Sequence, residues 1–293
     1  MVPSTRQRSS RSQLLPICVL AGVLVIALGT VTVVSVYLGR VSSTVGSMAK
    51  ADPLGAYHGR PAKTPGPDGP PPVDFLVLVA DQDHTLLSAH LVNLSGSRQQ
   101  LTLVGLPADL LVSSDPRRPH RTLADLYRDG LHPVAREVEL LLGVRTDHQV
   151  QIGVEGFSSV VDALGGLELM TAAPADPAGP RGYLASAPDG PARAERVSPL
   201  LHGTMVRLGM GDAVINPYQF DRVLRALEHC ILVDSDLTTA ALETTLMESS
   251  VRSDEIGTYL LPTVEGRDGR TALPEALVEL RGALASDAVA ALA

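Results

Sequence analysis

Residues 147 to 169 read Asp147-His148-Gln149-Val150-Gln151-Ile152-Gly153-Val154-Glu155-Gly156-Phe157-Ser158-Ser159-Val160-Val161-Asp162-Ala163-Leu164-Gly165-Gly166-Leu167-Glu168-Leu169. From Gln149 to Val154 apolar and polar residues alternate, with Val150, Ile152 and Val154 on one side, the pattern of a strand. Phe157, Val160, Val161 and Leu164 then recur at helical spacing, and Gly165-Gly166 end the helix with a glycine able to take φ > 0. Leu167 to Met170 reads as another short strand. A strand that runs into a helix and back to a strand is the unit of a layered α/β structure. Asp147-His148 reads as a turn entering the strand in preference to an acid–base pair, and Asp162 as structural or solvated.

The same layering extends outward. Upstream, Val134, Val138, Leu141 and Leu142 make one face of a helix over 133–142, with Pro133 in its first turn and Gly143 as its cap. Phe75 to Ala80 is a continuous apolar run between Asp74 and Asp81, the signature of a strand buried on both faces. Residues 85–93 and 100–104 read as the next two strands, an antiparallel pair turning at Gly96. Downstream, the Pro-, Gly- and Ala-rich stretch 172–197 reads as a loop. Residues 221–233 read as a helix with Val223, Leu224, Leu227, Cys230 and Ile231 inward. A second helical stretch follows at 237–247, a strand at 258–261 and a last helix at 274–284. The expected fold is α/β: one mixed central sheet with strands at 75–80, 85–93, 100–104, 149–154 and 167–170. The helices at 133–142, 156–164 and 221–233 cover both its faces.

Composition narrows the function. The chain has 293 residues, 45% of them hydrophobic, enough for a sizeable core. Its net charge is −8, it has no Trp, and aromatics are 3%. Nucleic-acid binding needs phosphate neutralisation or base stacking, so that class is excluded. The two cysteines, Cys18 and Cys230, fall in different media and form no disulfide framework.

Leu14 to Leu38 is apolar and uncharged, roughly 25 residues, enough to cross a bilayer core of about 30 Å. Arg6, Arg8 and Arg11 precede it and Arg40 alone follows closely, which orients the N-terminus inward. The run is too long for the apolar region of a cleaved signal peptide, roughly 7–15 residues. The expected organisation is a cytoplasmic tail at 1–13, a single transmembrane anchor at 14–38, a Pro-rich linker at 39–72, an extracytoplasmic domain at 73–285 and a tail at 286–293. The prolines from Pro61 to Pro72 make the linker extended and semi-rigid.

The Asp162-Ala163-Leu164-Gly165-Gly166 run and its flanks resemble the centre of the LytR-CpsA-Psr family of bacterial cell-envelope proteins. The resemblance covers roughly 73 to 285 and is strong from 143 to 169. It implies an extracytoplasmic transferase that moves polyprenyl-(pyro)phosphate-linked glycopolymers onto peptidoglycan. It implies Mg²⁺ held by acids against a pyrophosphate, which here would be Asp81 and Asp83. The family's Ser-Asp-Thr corresponds to Asp83-His84-Thr85, and its Ile-Pro-Arg-Asp to Leu106-Pro107-Ala108-Asp109. Its acidic-Arg helix start corresponds to Asp221-Arg222-Val223-Leu224-Arg225. The positions expected to carry the chemistry are therefore Asp81, Asp109, Arg222 and Arg225. His84, Ala108, Tyr218 and Ala226 replace the family's functional types. Hard cations want carboxylates, so His84 is a poor substitute. Each lost charged hydrogen bond costs about 1.5–3 kcal/mol. Arg117, Arg118 and Arg121 lie in a loop that could supply substitutes. On the residues alone, Asp221, Arg225 and Glu228 also fit a surface ion-pair network.

Three readings follow. One is a membrane-anchored, catalytically weak transferase. The second is a non-catalytic homologue that binds the polyprenyl lipid or acts as a scaffold in the envelope. The third is an anchored ectodomain that shares only the fold. Convergence of Asp81, Arg222, Arg225 and a substitute arginine in one cleft distinguishes them.

Overall fold

The computed structural model describes residues 39–40, 43–67, 69–113, 120–166, 179–187, 190–209 and 217–293. The expected anchor at 14–38 and the strand at 167–170 lie outside them. Among the described residues no helix is long and apolar enough to cross a membrane.

Among the described residues, the centre is a mixed seven-stranded sheet. Its strands are β1 (Ala49–Ala51), β2 (Val73–Ala80), β3 (Leu86–Leu94), β4 (Leu101–Pro107), β7 (His148–Gly153), β8 (Ile231–Asp234) and β9 (Ile256–Leu260). Two short pairs lie outside it: β5 (Leu111–Val112) with β6 (Arg121–Thr122), and β10 (Thr263–Glu265) with β11 (Arg270–Ala272). The order across the sheet is β1-β8-β7-β2-β3-β4-β9. β2 lies parallel to β7 and antiparallel to β3, so the expected hairpin is present and the decisive strand sits beside the buried one.

Helices cover both faces, as the sequence pattern required. On one face α1 (Leu123–Tyr127), α2 (Leu131–Leu142) and α8 (Pro274–Ala285) close over Leu76, Leu78, Leu91 and Leu106. On the other, α3 (Val154–Ala163), α4 (Gly179–Ala185) and α5 (Gly190–Gly209) close over Val77, Val79, Val92 and Ile152. The period-two alternation of β2 and β3 feeds both layers, which is why all nine residues of β3 are buried. α6 (Pro217–Cys230) lies outside α3, joined through Val160, Leu164 and Val223. α7 (Thr239–Glu248) follows β8 and is capped by the Thr238 hydroxyl.

Local signals hold where they were strongest. Gly143 caps α2 with φ 72°, in the left-handed region. Gly165 and Gly166 end α3 with φ 85° and 94°. Asp147 is part of a clamp: its amide donates to the Asp74 carbonyl, and its carboxylate accepts from the Asp74 amide and from Lys63.

Four expectations are corrected. Part of the stretch read as a loop at 172–197 is helical, forming α4 and the start of α5, whose Val197, Leu200 and Leu201 reach the sheet. The helix read over 221–233 starts at Pro217 and ends at Cys230. Ile231–Asp234 leave it to pair with β7, because Val150–Ile152 offer an open edge that backbone hydrogen bonding fills. Thr85 is not in a strand but closes a turn from Asp81. The segment read as a linker is partly built into the domain. Residues 43–47 are helical, and β1 pairs parallel with β8. Arg60 and Tyr57 then bond Glu139 of α2, whose side chain is wholly buried.

Candidate functional site at the carboxyl ends of the sheet

β2 and β4 run in the same direction, both antiparallel to β3, so Asp81 and Asp109 emerge at the same edge of the sheet. α1 spans the gap between them. The Ala124 amide donates to the Ala108 carbonyl at one end of α1, and Tyr127 lies beside Asp81 at the other. Burial, and then the Asp81 charge, push the Tyr127 phenol above its ordinary pKa. Ligands of open α/β sheets sit outside the carboxyl ends of the strands, where neighbouring connections diverge.

A cavity of about 520 Å³ opens there, within the range of small-ligand sites. It is lined by Asp83, His84, Thr85, Tyr127, Arg128, Gly130, Leu131 and Gln151. The turn that builds its rim is held by Asp81. One Asp81 carboxylate oxygen accepts from the Asp83 amide at 3.0 Å and the Thr85 amide at 2.9 Å. This side-chain-capped turn lets His84 adopt φ 55°, a left-handed conformation that Asn, Asp and His take more readily than other side chains. Half of the Asp81 carboxylate is thereby committed, and its second oxygen and the exposed Asp83 remain for a ligand. Arg128 donates to Asp125 at 2.9 Å, with its side chain 68% exposed. An ion pair that open is weak and leaves most of the guanidinium fork to a ligand.

The other expected positions lie elsewhere. Asp109 is committed to the β10–β11 hairpin: its carboxylate is 3.4 Å from Arg270 Nε and its carbonyl accepts from the Arg270 amide. Arg222 donates to the Asp162 carbonyl at 3.2 Å, and Arg225 pairs with Asp221 at 3.2 Å. α6 runs antiparallel to α3. Its end at Cys230 lies against Gly156, where any added side chain would collide, and its start lies by Asp162. Asp81 is at the other end of α3, where Gln82 bonds Glu155. Seven residues of α3 separate those ends, about 10 Å at 1.5 Å per residue. The structure thus joins Asp81 with Asp83 and leaves Asp109, Arg222 and Arg225 outside the cleft.

Of the loop arginines, Arg121 is committed to Asp129 and the Asp125 carbonyl. Arg117 and Arg118 lie outside the described residues. The arginine in the cleft, Arg128, was missed in the sequence, as were Tyr127 and Gln151. Arg128-Asp129-Gly130 is the turn between two helices, and only the sheet order shows that it faces Asp83. No group of three or more His, Cys, Asp or Glu side chains that could hold a metal occurs among the described residues.

Residues 85–178 match the LytR_cpsA_psr family. The fold is similar to that of a LytR-Csp2A-Psr enzyme from Actinomyces oris, with TM-score 0.60 and 19% identity over 80% of this chain and 94% of that one. It is similar to B. subtilis TagV, with TM-score 0.58 and 16% identity over 74% of this chain and 97% of that one. It is also similar to TagT bound to LI-WTA, with TM-score 0.59 and 13% identity over 82% of this chain and 98% of that one. No curated protein is a significant match. The family match falls on the β3-to-α3 core, about a third of the chain, and the fold around it is similar to that of solved LytR-CpsA-Psr proteins.

Proposed function

We propose that this protein is a cell-envelope member of the family that handles lipid-linked glycopolymers, is held at the membrane by residues 14–38, and transfers glycopolymer to peptidoglycan weakly. The observation that carries the reading is the cleft at the carboxyl edge. It gathers Asp83, His84, Tyr127 and Arg128, with Asp81 holding the turn at its rim, beside strands that the family match covers. A fold relative bound to LI-WTA supports a lipid-linked glycopolymer as the ligand class. Arg128 and His84 suit phosphate oxygens, and Tyr127 can donate a hydrogen bond to a bridging oxygen.

Mg²⁺ requires no dedicated cage, because one or two carboxylates suffice when substrate phosphates complete its shell. The free oxygen of Asp81 and the carboxylate of Asp83 meet that minimum and no more. When bound, the ion would neutralise phosphate charge. The protein's own part is to hold the turn that aims both acids and to offer Arg128. A site with one open arginine and a histidine where the family has an acid stabilises a pyrophosphate poorly, so slow transfer is expected. A non-catalytic lipid-binding role is the second reading, favoured by the commitment of half of Asp81 to its turn.

Binding of polyprenyl pyrophosphate to the full chain in detergent, with and without Mg²⁺, tests the site. Arg128→Ala should weaken binding by about 10- to 100-fold, the value of a charged hydrogen bond. Asp83→Asn should remove the Mg²⁺ dependence. Loss of binding in an Arg222→Ala/Arg225→Ala double variant, with Arg128→Ala unaffected, would move the site to the start of α6. Transfer from a lipid-linked glycopolymer at the rate of an ordinary family member would overturn the weak-transferase reading.

A further inference from the structure

The strapping of the N-terminal segment fixes which surface lies next to the end of the apolar run. Arg40 forms an ion pair with Asp221 of α6. Four residues on, Thr44 is 7% exposed and Val45 2%. Lys50 donates to the Leu237 carbonyl at 3.2 Å, and the Ser235 amide donates to the Ala51 carbonyl at 3.0 Å. Among the described residues, the segment from Arg40 on is held against the domain. Leu38, the last residue of the apolar run, is two residues from Arg40, at most about 7 Å of chain. The guanidinium of Arg40 reaches one side chain's length beyond that. The headgroup layer outside a bilayer's hydrocarbon is itself about 5–7 Å thick on each side.

We propose that the exposed side of the first two turns of α6 is a membrane-docking surface: Tyr218, Arg222 and Arg225, with Arg40, lie against the headgroups of an anionic bilayer. The inference rests on the membrane-anchor reading above. Its partner is the lipid surface itself, set by where the apolar run ends and by charge. Arg40 and Arg225 pair with Asp221, Arg222 bonds the Asp162 carbonyl, and Glu228 lies one turn further on, so three arginines stand against three acids in a chain whose net charge is −8. The rim is thus less acidic than the protein as a whole, and its arginines lie within a Debye length of the membrane, about 8–10 Å. Tyr218 is 85% exposed, and tyrosine favours the membrane interface, where its ring and hydroxyl meet different media. The hydrogen bond of Arg222 to the Asp162 carbonyl and the Arg225–Asp221 ion pair hold them at this rim and away from the cleft. Docking there would fix how the domain stands on the membrane.

The chain has no tryptophan, so Tyr218→Trp introduces a single indole reporter at the rim. Val264→Trp, at a position 54% exposed on β10, is the control. β10 follows β9 at the far edge of the sheet. Six inter-strand steps of about 4.8 Å separate that edge from β1, some 29 Å in all. The full chain is reconstituted into phosphatidylglycerol/phosphatidylcholine vesicles carrying a headgroup spin label. Tyr218→Trp fluorescence should be quenched strongly and Val264→Trp little. In the Tyr218→Trp background, Arg222→Ala/Arg225→Ala should lower the docked-to-undocked ratio by on the order of 25-fold, about 5-fold per arginine. Pure phosphatidylcholine or high salt should do the same. Equal quenching at the two reporters, in protein that resists alkaline extraction, overturns the docking surface and leaves the anchor standing. Extraction of the protein at alkaline pH sinks the anchor and this inference with it. Release of the rim by millimolar soluble pyrophosphate at constant ionic strength would assign the arginines to a pyrophosphate site instead.

Discussion

Replacing Glu139 with alanine should lower the unfolding free energy by about 3–5 kcal/mol, the cost of breaking a buried ion pair from one side. The Glu139 side chain has no exposure and Arg60 has 13%. Its carboxylate accepts from Arg60 Nε and Nη2, both at 2.9 Å, from the Tyr57 hydroxyl at 2.7 Å, and from the Thr146 amide and hydroxyl at 2.9 and 2.8 Å. Burial and this carboxylate also push the Tyr57 phenol well above its ordinary range. Alanine leaves a guanidinium, a phenol and an amide without their acceptor in a dry site. Denaturant unfolding of the full chain in detergent measures the loss. Glu139→Leu combined with Arg60→Met should recover much of it, because a well-filled apolar pair often replaces a buried ion pair at little cost. If Glu139→Ala costs less than about 1 kcal/mol, the N-terminal strap is not held by this carboxylate.

The second large effect concerns pH. Burial lifts Asp74 to about 6, against which the Asn93 amide donates at 2.8 Å. Burial lowers His90 to about 4, with its Nε2 2.8 Å from the Ser198 hydroxyl of α5. Their contributions oppose each other. The folded state holds the Asp74 proton more tightly than the unfolded chain, so stability falls as pH rises from about 3.8 to 6. The folded state refuses the His90 proton, so stability rises as pH goes from about 4 to 6.5. Each shift is about two pK units, roughly 3 kcal/mol. In the unmodified protein the two slopes largely cancel between pH 4 and 6. Asp74→Asn should unmask a gain of about 3 kcal/mol on going from pH 4 to 6.5. His90→Gln should unmask a loss of similar size from pH 4 to 6. Slopes of the same sign in the two variants would refute the opposition.

The elements legible in the sequence were those whose signal is local. β2 announces itself by its unbroken apolar run, and β7, α2 and α3 by period and by the glycines that end them; each fell within a few residues of its place. What stayed hidden depends on partners distant in sequence. Ile231 continues the helical spacing of Leu227, and only the open edge of β7 draws it into a strand. β1 has three residues and no periodic pattern, and its partner is 232 − 49 = 183 positions away. The Gly-Pro openings of α4 and α5 look like loop, yet their later turns bury Tyr183, Leu184 and Leu200. The site divides in the same way. Asp81 and Asp83 were named by the resemblance, on the buried strand that leads into them, and the structure puts them on one turn. Arg128 was not, because its place in the cleft follows from strand order. Arg222 and Arg225 were grouped with Asp81 by resemblance, and the antiparallel run of α6 along α3 sets them apart.

The pairing of β1 with β8 also sets a timetable. β1, the first strand among the described residues, closes the sheet's outer edge, but its partner is synthesised 232 − 49 = 183 residues later. At about 5–20 residues per second, that is a wait of roughly 10–40 s. Arg60 meets Glu139 earlier, so the strap is tacked down at α2 before its strand can pair. Until β8 arrives, the outer edge of β7 stands open, and open edges invite pairing with other chains. The emerging protein therefore passes an interval of open sheet edge after the strands of its centre are made and before β1 is paired.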